Sequence, residues 1–316
     1  MISLEKMSIL MPVRNGSQFL QNSIQNIESN VRSFDEIIVV NDGSVDETSR
    51  MLYEWSLRNQ QVRILNSNGT GLVNSLNLGI SEASNNWIAR FDVDDSYPSF
   101  RLIEQSKMLD DKTAAIFCDY RFQNPMGIDL GSIPSAVSAP ATAVSLISSQ
   151  RTPHPGALLN KNALIDAGGY RNEDFPAEDI SLWMRLAKNA QIVSVPMVLL
   201  NYRLSKNSVS AEKRKLALEQ TKKLLQVIGI DENSIRECLD SWHKHFLKYS
   251  DMTLSSERKL LYYRDLKRCL IFLKNKSAIK SEIRDLENYL LRDYKTLYGF
   301  NYLLTGKLKR ILYRNF

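Results

Sequence analysis

Over roughly the first 120 residues, short apolar runs alternate with amphipathic stretches, the pattern of parallel strands joined by crossover helices. Parallel strands cannot be closed by a tight turn, so each strand pair needs a helix-length connection. Four strands are expected, over Ser8–Val13, Glu36–Val40, Val62–Leu65 and Trp87–Phe91. The first runs into Asn15-Gly16 and then a helical pattern with Phe19, Leu20, Ile24 and Ile27 on one face. The second turns at Asn41-Asp42-Gly43. There Ser44-Val45-Asp46-Glu47 has the Ser-x-x-Glu form of a capping box and predicts a helix carrying Met51, Leu52 and Trp55. An open sheet of this kind places its ligand outside the carboxyl ends of its strands, where loops and helix N-termini present N–H groups to phosphate. Polar residues after each strand are therefore the candidates for function.

The fourth strand, Trp87-Ile88-Ala89-Arg90-Phe91, runs straight into Asp92-Val93-Asp94-Asp95. Strand side chains alternate, so Asp92 and Asp94 point the same way. Two same-side carboxylates at a strand end form a hard-oxygen site suited to Mg²⁺ or Mn²⁺, which takes phosphate oxygens and waters as further ligands. The alternative is an acidic loop in which Asp95 or Ser96 caps the helix after Pro98. Asp42 after the second strand and Arg14 after the first would converge with these acids on one crevice. A second acidic pair, Glu178-Asp179, precedes the amphipathic start Ile180-Ser181-Leu182-Trp183. Acids favour helix N-termini through the macrodipole, which explains the pair without chemistry. A carboxylate held partly out of water could instead serve as a general base.

Farther along, residues 141 to 200 read as a mixed α/β region, with an apolar stretch at Gly156–Leu159, a helix ending near Gly168-Gly169 and another from Ile180 to Asn189. Residues 211 to 298 read as almost wholly helical. Charge divides the chain at the same place: residues 1–210 carry 18 Lys and Arg against 22 Asp and Glu, net −4, and residues 211–316 carry 23 against 13, net +10. Two domains are expected, 1–210 for catalysis and 211–316 as a basic helical region. At 43% hydrophobic and 24% charged residues, the composition excludes disorder, collagen and a disulfide scaffold. Cys118, Cys238 and Cys269 are too far apart for a zinc or redox motif and read as ordinary reduced residues. No apolar run is long enough to cross a bilayer and Met1–Ser8 is unlike a signal peptide, so a cytoplasmic chain is expected. The tail Gly306–Phe316 mixes basic with apolar and aromatic residues. Such a tail suits an anionic inner-membrane surface or a packing or dimer contact. Nucleic acid is not an expected partner, because no binding motif accompanies the charge.

Seven motifs in order give the chain a family resemblance. They are Met11-Pro12-Val13-Arg14-Asn15-Gly16, Ile37-Ile38-Val39-Val40-Asn41-Asp42-Gly43-Ser44, Leu76-Asn77-Leu78-Gly79-Ile80, Ala89-Arg90-Phe91-Asp92-Val93-Asp94-Asp95, His154-Pro155, Gly168-Gly169-Tyr170 with Glu178-Asp179-Ile180-Ser181-Leu182-Trp183, and Tyr202-Arg203. Over residues 7 to 210 the chain resembles the nucleotide-sugar-dependent glycosyltransferases of family 2, which have the GT-A fold. The resemblance implies a Rossmann-like, mostly parallel sheet flanked by helices and followed by the C-terminal helical region. It also implies an inverting transferase that moves a sugar, most readily from a UDP-sugar, onto a lipid-linked or oligosaccharide acceptor in capsule, O-antigen or lipopolysaccharide assembly. Asp94 would hold the Mn²⁺ or Mg²⁺ and Asp92 would contact metal or ribose. Asp42 would read the base, with Pro12 and Arg14 lining the nucleotide pocket. Asp179 would be the general base, and Glu178 would position the acceptor.

Departures from the family pattern are specific. Asn41 stands where many members have a first Asp, and Arg14 where many have Tyr, so guanidinium stacking or phosphate contact would replace ring stacking. The His that often follows Tyr-Arg is absent from Tyr202-Arg203-Leu204-Ser205-Lys206, and Arg203 or Lys206 would supply positive charge to the diphosphate instead. His154, between two prolines, reads as a structural hydrogen-bonder or an acceptor contact. Trp183 reads as core packing or a sugar platform. His243 and His245, two apart on one helix, do not face each other as zinc ligands would. The rival activities are a sugar-1-phosphate nucleotidyltransferase, which would need a Gly-rich phosphate loop that Met11–Gly16 does not provide, and a non-catalytic glycan-assembly scaffold.

Overall fold

A computed structural model describes residues 5–32, 35–133, 135, 152–187 and 190–204, together with Lys213, Leu216, Glu219 and Gln220. All of them belong to one unit of the chain, Met1–Gly229. The expected boundary at 210, the helical reading of 211–298, Lys206, Cys238, Cys269, His243, His245 and the basic tail lie outside the described residues.

Among the described residues the sheet has eight strands; in spatial order seven of them start at Val62, Glu36, Met7, Trp87, Leu158, Thr113 and Asp129, and the strand that starts at Gln191 also pairs with the one from Thr113. Strands β1 (Met7–Val13), β2 (Glu36–Asn41), β3 (Val62–Asn66) and β4 (Trp87–Arg90) are mutually parallel. They are joined by helices α1 (Ser17–Asn30), α2 (Thr48–Arg58) and α3 (Leu72–Glu82). The second half is mixed. Strand β7 (Leu158–Asn160) runs antiparallel between β4 and β5 (Thr113–Gln123), and β6 (Asp129–Ile133) is antiparallel to β5. Strand β8 (Gln191–Arg203) is parallel to β5. Its register jumps from Val195 opposite Cys118 to Val198 opposite Asp119, leaving Pro196 and Met197 unpaired. Proline has no N–H for the ladder, so the irregularity falls where the sequence demands it. Short helices α4 (Arg101–Ser106), α5 (Lys161–Asp166) and α6 (Glu178–Leu186) complete the layers. This is the α/β, mostly parallel architecture that the alternation predicts.

Alternation also sorts the two faces. Odd-numbered Met7, Ile9, Met11 and Val13 of β1 join Leu20, Ile24 and Ile27 of α1 and Leu52 and Trp55 of α2 in one buried cluster. Each such side chain taken out of water contributes on the order of 1.5–3 kcal/mol. Leu10 points to the opposite face, against α3. A Cβ added at Gly79 would sit 2.1 Å from Leu10 Cδ1. Gly79→Ala is therefore expected to cost about 1–3 kcal/mol through overpacking, read as a lower urea midpoint at unchanged slope.

The loop after β2 differs from the expected capping box. Helix α2 starts at Thr48, and the Ser44 hydroxyl accepts from Asn15 N (3.0 Å) rather than from its own helix. The N-cap position is Glu47, without a side-chain cap, and the acceptor comes from Asp46 just before it. The Asp46 carboxylate accepts from Thr48 N at 3.0 Å and from Ser17 N at 3.1 Å. Burial acts against its ionisation, yet bonds from Ser17 and Thr48 outweigh that and lower its pKa to about 2. Tertiary stitching between the β1 and β2 loops outcompetes the local motif. Among the described residues no helix is long and apolar enough to cross a membrane.

Candidate active site

Three loops meet over the carboxyl ends of β1, β2 and β4. After β1, Asn15 takes a positive φ of 51°, which turns its side chain to accept from Val45 N at 2.9 Å. Gly16 N donates to Thr48 Oγ1 at 2.9 Å, and Gly16 lies so close to Val93 that an added Cβ would meet its Cγ1 at 3.1 Å. The loop after β4 is thereby packed against the loop after β1. Pro12 is buried within β1 opposite Val40. Asp42 is also buried, and its Oδ1 accepts from Ser67 Oγ (2.7 Å) and Gly71 N (3.1 Å). Arg14 Nη1 stands 4.0 Å from Asp42 Oδ2 with its own side chain 58% exposed, a weak pair that leaves the guanidinium free to meet a ligand. Asn41, in place of the family's first acid, donates to Ser49 Oγ and accepts from Ser44 N.

Asp92, Asp94 and Asp95 form a group whose carboxylate oxygens lie within 4.8 Å of one another. Burial first, and Asp92 next, push the Asp94 carboxyl up to about 6, while burial and both neighbours push Asp95 well above the ordinary value. Asp95 does not cap a helix. Its Oδ1 accepts from Arg203 N at 2.8 Å and its buried Oδ2 has no hydrogen-bond partner among the described residues, while α4 begins six residues later with no side-chain cap. Three hard-oxygen donors, crowded, partly desolvated and with one buried oxygen orphaned, fit a divalent cation such as Mg²⁺ or Mn²⁺. Arg203 is placed as a strut of this loop. Its Nε donates to Asp94 O (2.9 Å) and its Nη1 to Pro125 O (2.7 Å).

Beneath the acids lies Arg90, 1% exposed, on the α3-facing side of β4. Its guanidinium donates to the carbonyl of Phe91 and to Asp92 Oδ1. Burial opposes its charge, but Asp92, Tyr170 and Tyr97 more than offset that, so it stays protonated. The same cation favours the ionised forms of Asp94, Asp95, Glu178 and Asp179. Nothing local marks this role, because a single Arg in an apolar strand carries no periodic signal. Burial alone reveals it.

Across from the acid loop, Glu178 and Asp179 occupy the first turn of α6. Burial raises both carboxyls, Glu178 to about 8 with Asp179 adding to the effect, and Asp179 to about 6. Asp179 stays lower because Ile180 N donates to its Oδ1 at 2.7 Å and Arg90 assists. Two adjacent carboxyls raised together in this way titrate as one coupled pair. Glu178 Oε2 is buried without a hydrogen-bond partner among the described residues. The Asp92 charge reaches both residues, which ties the two acid groups into one electrostatic site. His154 Nε2 bonds Tyr170 Oη at 2.7 Å, and burial followed by Arg90 keeps the imidazole neutral. That bond gives His154 Nε2 a protein partner. Trp183 is fully buried, edge-on to Phe117 at 5.0 Å and to His154 at 5.7 Å, so it packs the core and offers no face to a sugar.

The family model for glycosyl transferase family 2 matches residues 8–170, just over half the chain. An uncharacterized glycosyltransferase of Haemophilus influenzae is 28% identical over 247 residues, 71% of this chain and 76% of that protein. The poly-beta-1,6-N-acetyl-D-glucosamine synthase of Staphylococcus aureus is 29% identical over 197 residues, 58% of this chain and 46% of the synthase. This chain therefore spans about half the synthase's length. Among solved structures, the mannosyltransferase PcManGT from Pyrobaculum calidifontis, in complex with GDP-Man and Mn²⁺, aligns with a TM-score of 0.59 at 15% identity, covering 93% of this chain and 82% of that one. TarS of S. aureus in complex with UDP-GlcNAc aligns with a TM-score of 0.59 at 15% identity, covering 84% and 80%. At that identity the likeness is one of fold.

Proposed function

The chain belongs to glycosyl transferase family 2, and we propose that it transfers a sugar from a nucleotide-diphosphate donor to a hydroxyl of a surface glycan, inverting the anomeric carbon. A UDP-sugar is the donor we favour, UDP-N-acetylglucosamine first, because the S. aureus relative is named for N-acetylglucosamine polymerisation and TarS was solved with UDP-GlcNAc. Above all, the reading rests on two acid groups of different character sharing the buried cation Arg90.

In this reading Asp179 accepts the proton of the acceptor hydroxyl as its oxygen attacks the anomeric carbon. The bond from that carbon to the donor diphosphate breaks, and the electron pair leaves with the nucleoside diphosphate. Glu178 orients the acceptor. Asp42, Pro12 and Arg14 hold the nucleotide, and Asp92, Asp94 and Asp95 are the residues that would hold Mn²⁺ or Mg²⁺. Such an ion, when bound, neutralises charge growing on the leaving diphosphate. The net +10 of residues 211–316 supports work at the anionic cytoplasmic face of the inner membrane, where a lipid-linked acceptor resides.

Calorimetric titration of UDP, GDP and CMP, each with Mn²⁺ and with EDTA, tests the reading. UDP is expected to bind in Mn²⁺ and to weaken about tenfold or more in EDTA, a loss of about 1.4 kcal/mol or more. Tighter binding of GDP would move the donor class, and binding of none would favour a non-catalytic scaffold.

A further inference from the structure

Arg90 stands in a buried strand position where an apolar residue would pack with less penalty. Its side chain is 2% exposed, yet its Asp92 partner is 30% exposed, so the ion pair is not sealed on both sides. Burying a guanidinium is costly unless every donor is satisfied, and among the described residues its Nε has no hydrogen-bond partner. A planar fork does bring one thing that packing cannot: it can anchor on one acceptor while orienting another. Here one arm holds the Phe91 carbonyl and the other holds Asp92 Oδ1. The Asp92 backbone is fixed as well, its N–H donating to Tyr97 Oη at 2.8 Å. Tyr97 in turn lies against Phe91, with Arg101 over both rings at 4.6 and 4.4 Å. Asp92 is thus held at both its backbone and one carboxylate oxygen, and Oδ2 takes no hydrogen bond from the described residues.

Resting on the transferase reading above, we propose that Arg90 is a positioning residue of the donor site, fixing the Asp92 carboxylate with Oδ2 presented to the donor nucleotide and its ion. A buried structural cation alone would need no particular partner geometry. Lysine keeps the charge but cannot hold Phe91 O and Asp92 Oδ1 in one plane.

The test compares wild type, Arg90→Lys, Asp92→Asn and the double variant, using folded protein verified by a cooperative thermal transition. Arg90→Lys is expected to raise the donor KM and the UDP Kd about tenfold or more, measured with Mn²⁺ and with EDTA, and to leave the acceptor KM within about twofold. Because Arg90 acts through Asp92, the double variant should bind donor no more weakly than Asp92→Asn alone. Unchanged donor KM and Kd in Arg90→Lys, or effects that multiply in the double variant, would overturn the proposal. If Arg90→Lys does not fold, Arg90→Gln, which keeps a donor without the charge, replaces it, and failure of both to fold assigns Arg90 a structural role only. Wild-type protein that binds no nucleotide would instead bring down the transferase reading, an outcome distinct from intact wild-type binding with an unaffected variant.

Discussion

Asp179→Asn is expected to lower turnover by about 10²- to 10⁴-fold while leaving UDP binding in Mn²⁺ nearly unchanged. The amide keeps the size and the bond from Ile180 N to its side-chain oxygen, so the first turn of α6 survives and only proton acceptance is lost. Normal turnover in the variant would remove Asp179 from the base role, and lost UDP binding would move it to the donor side. The wild-type pH profile carries a companion signature. With burial holding Asp179 near 6, its carboxyl still carries the proton at a pH where an exposed Asp would be ionised, so kcat should climb with pH through about 6. An acid limb near 4 would show that the base is an exposed group.

Asp94→Ala is expected to abolish the difference between UDP binding in Mn²⁺ and in EDTA, and to cut turnover by about 10³-fold, the scale of several kcal/mol of lost charge stabilisation on the leaving group. A Mn²⁺-dependent affinity that persists would place the cation elsewhere. Stability should move the other way. Asp94, Glu178 and Asp179 all have folded-state pKa values raised above their ordinary ones, chiefly by burial. Through these three groups the folded state binds more protons than the unfolded one between about pH 4 and 8, so their contribution to stability falls as pH rises through that window, while His154, whose pKa burial lowers, contributes the opposite slope around its ordinary value. Metal-free Asp94→Ala removes one of these strained charges and should melt no lower than wild type at pH 7.5, with a flatter pH dependence. A marked drop in its Tm would mean that Asp94 holds the loop together and that its functional loss is structural.

Much of the fold was legible because the signals were local. The four parallel strands and their crossover helices follow from hydrophobic periodicity, and β4 ends within one residue of its expected limit because three acids cannot continue a buried strand. Long strands β5 and β8 were not legible. Thr113–Gln123 is a continuous buried apolar run at its start, which periodicity cannot assign, and β8 carries an internal Pro196 that argues against a strand until the bulge opposite Cys118 and Asp119 is seen. The Ser44–Glu47 box failed because its hydroxyl bonds across to Asn15, an option invisible along the chain.

At the site, sequence alone determined which acids stand at the end of β4 and at the start of α6, since strand alternation and helix phase fix side-chain direction within an element. Tertiary structure decided what those acids experience. It made Asp95 a third member of the cluster through Arg203 of β8, sent Trp183 into the core, satisfied His154 with Tyr170, and placed Arg90 between two acid groups some 87 residues apart in the chain. Direction along an element is a local property of the backbone. Burial and charge at a point depend on every element that packs there, and no window of sequence contains them.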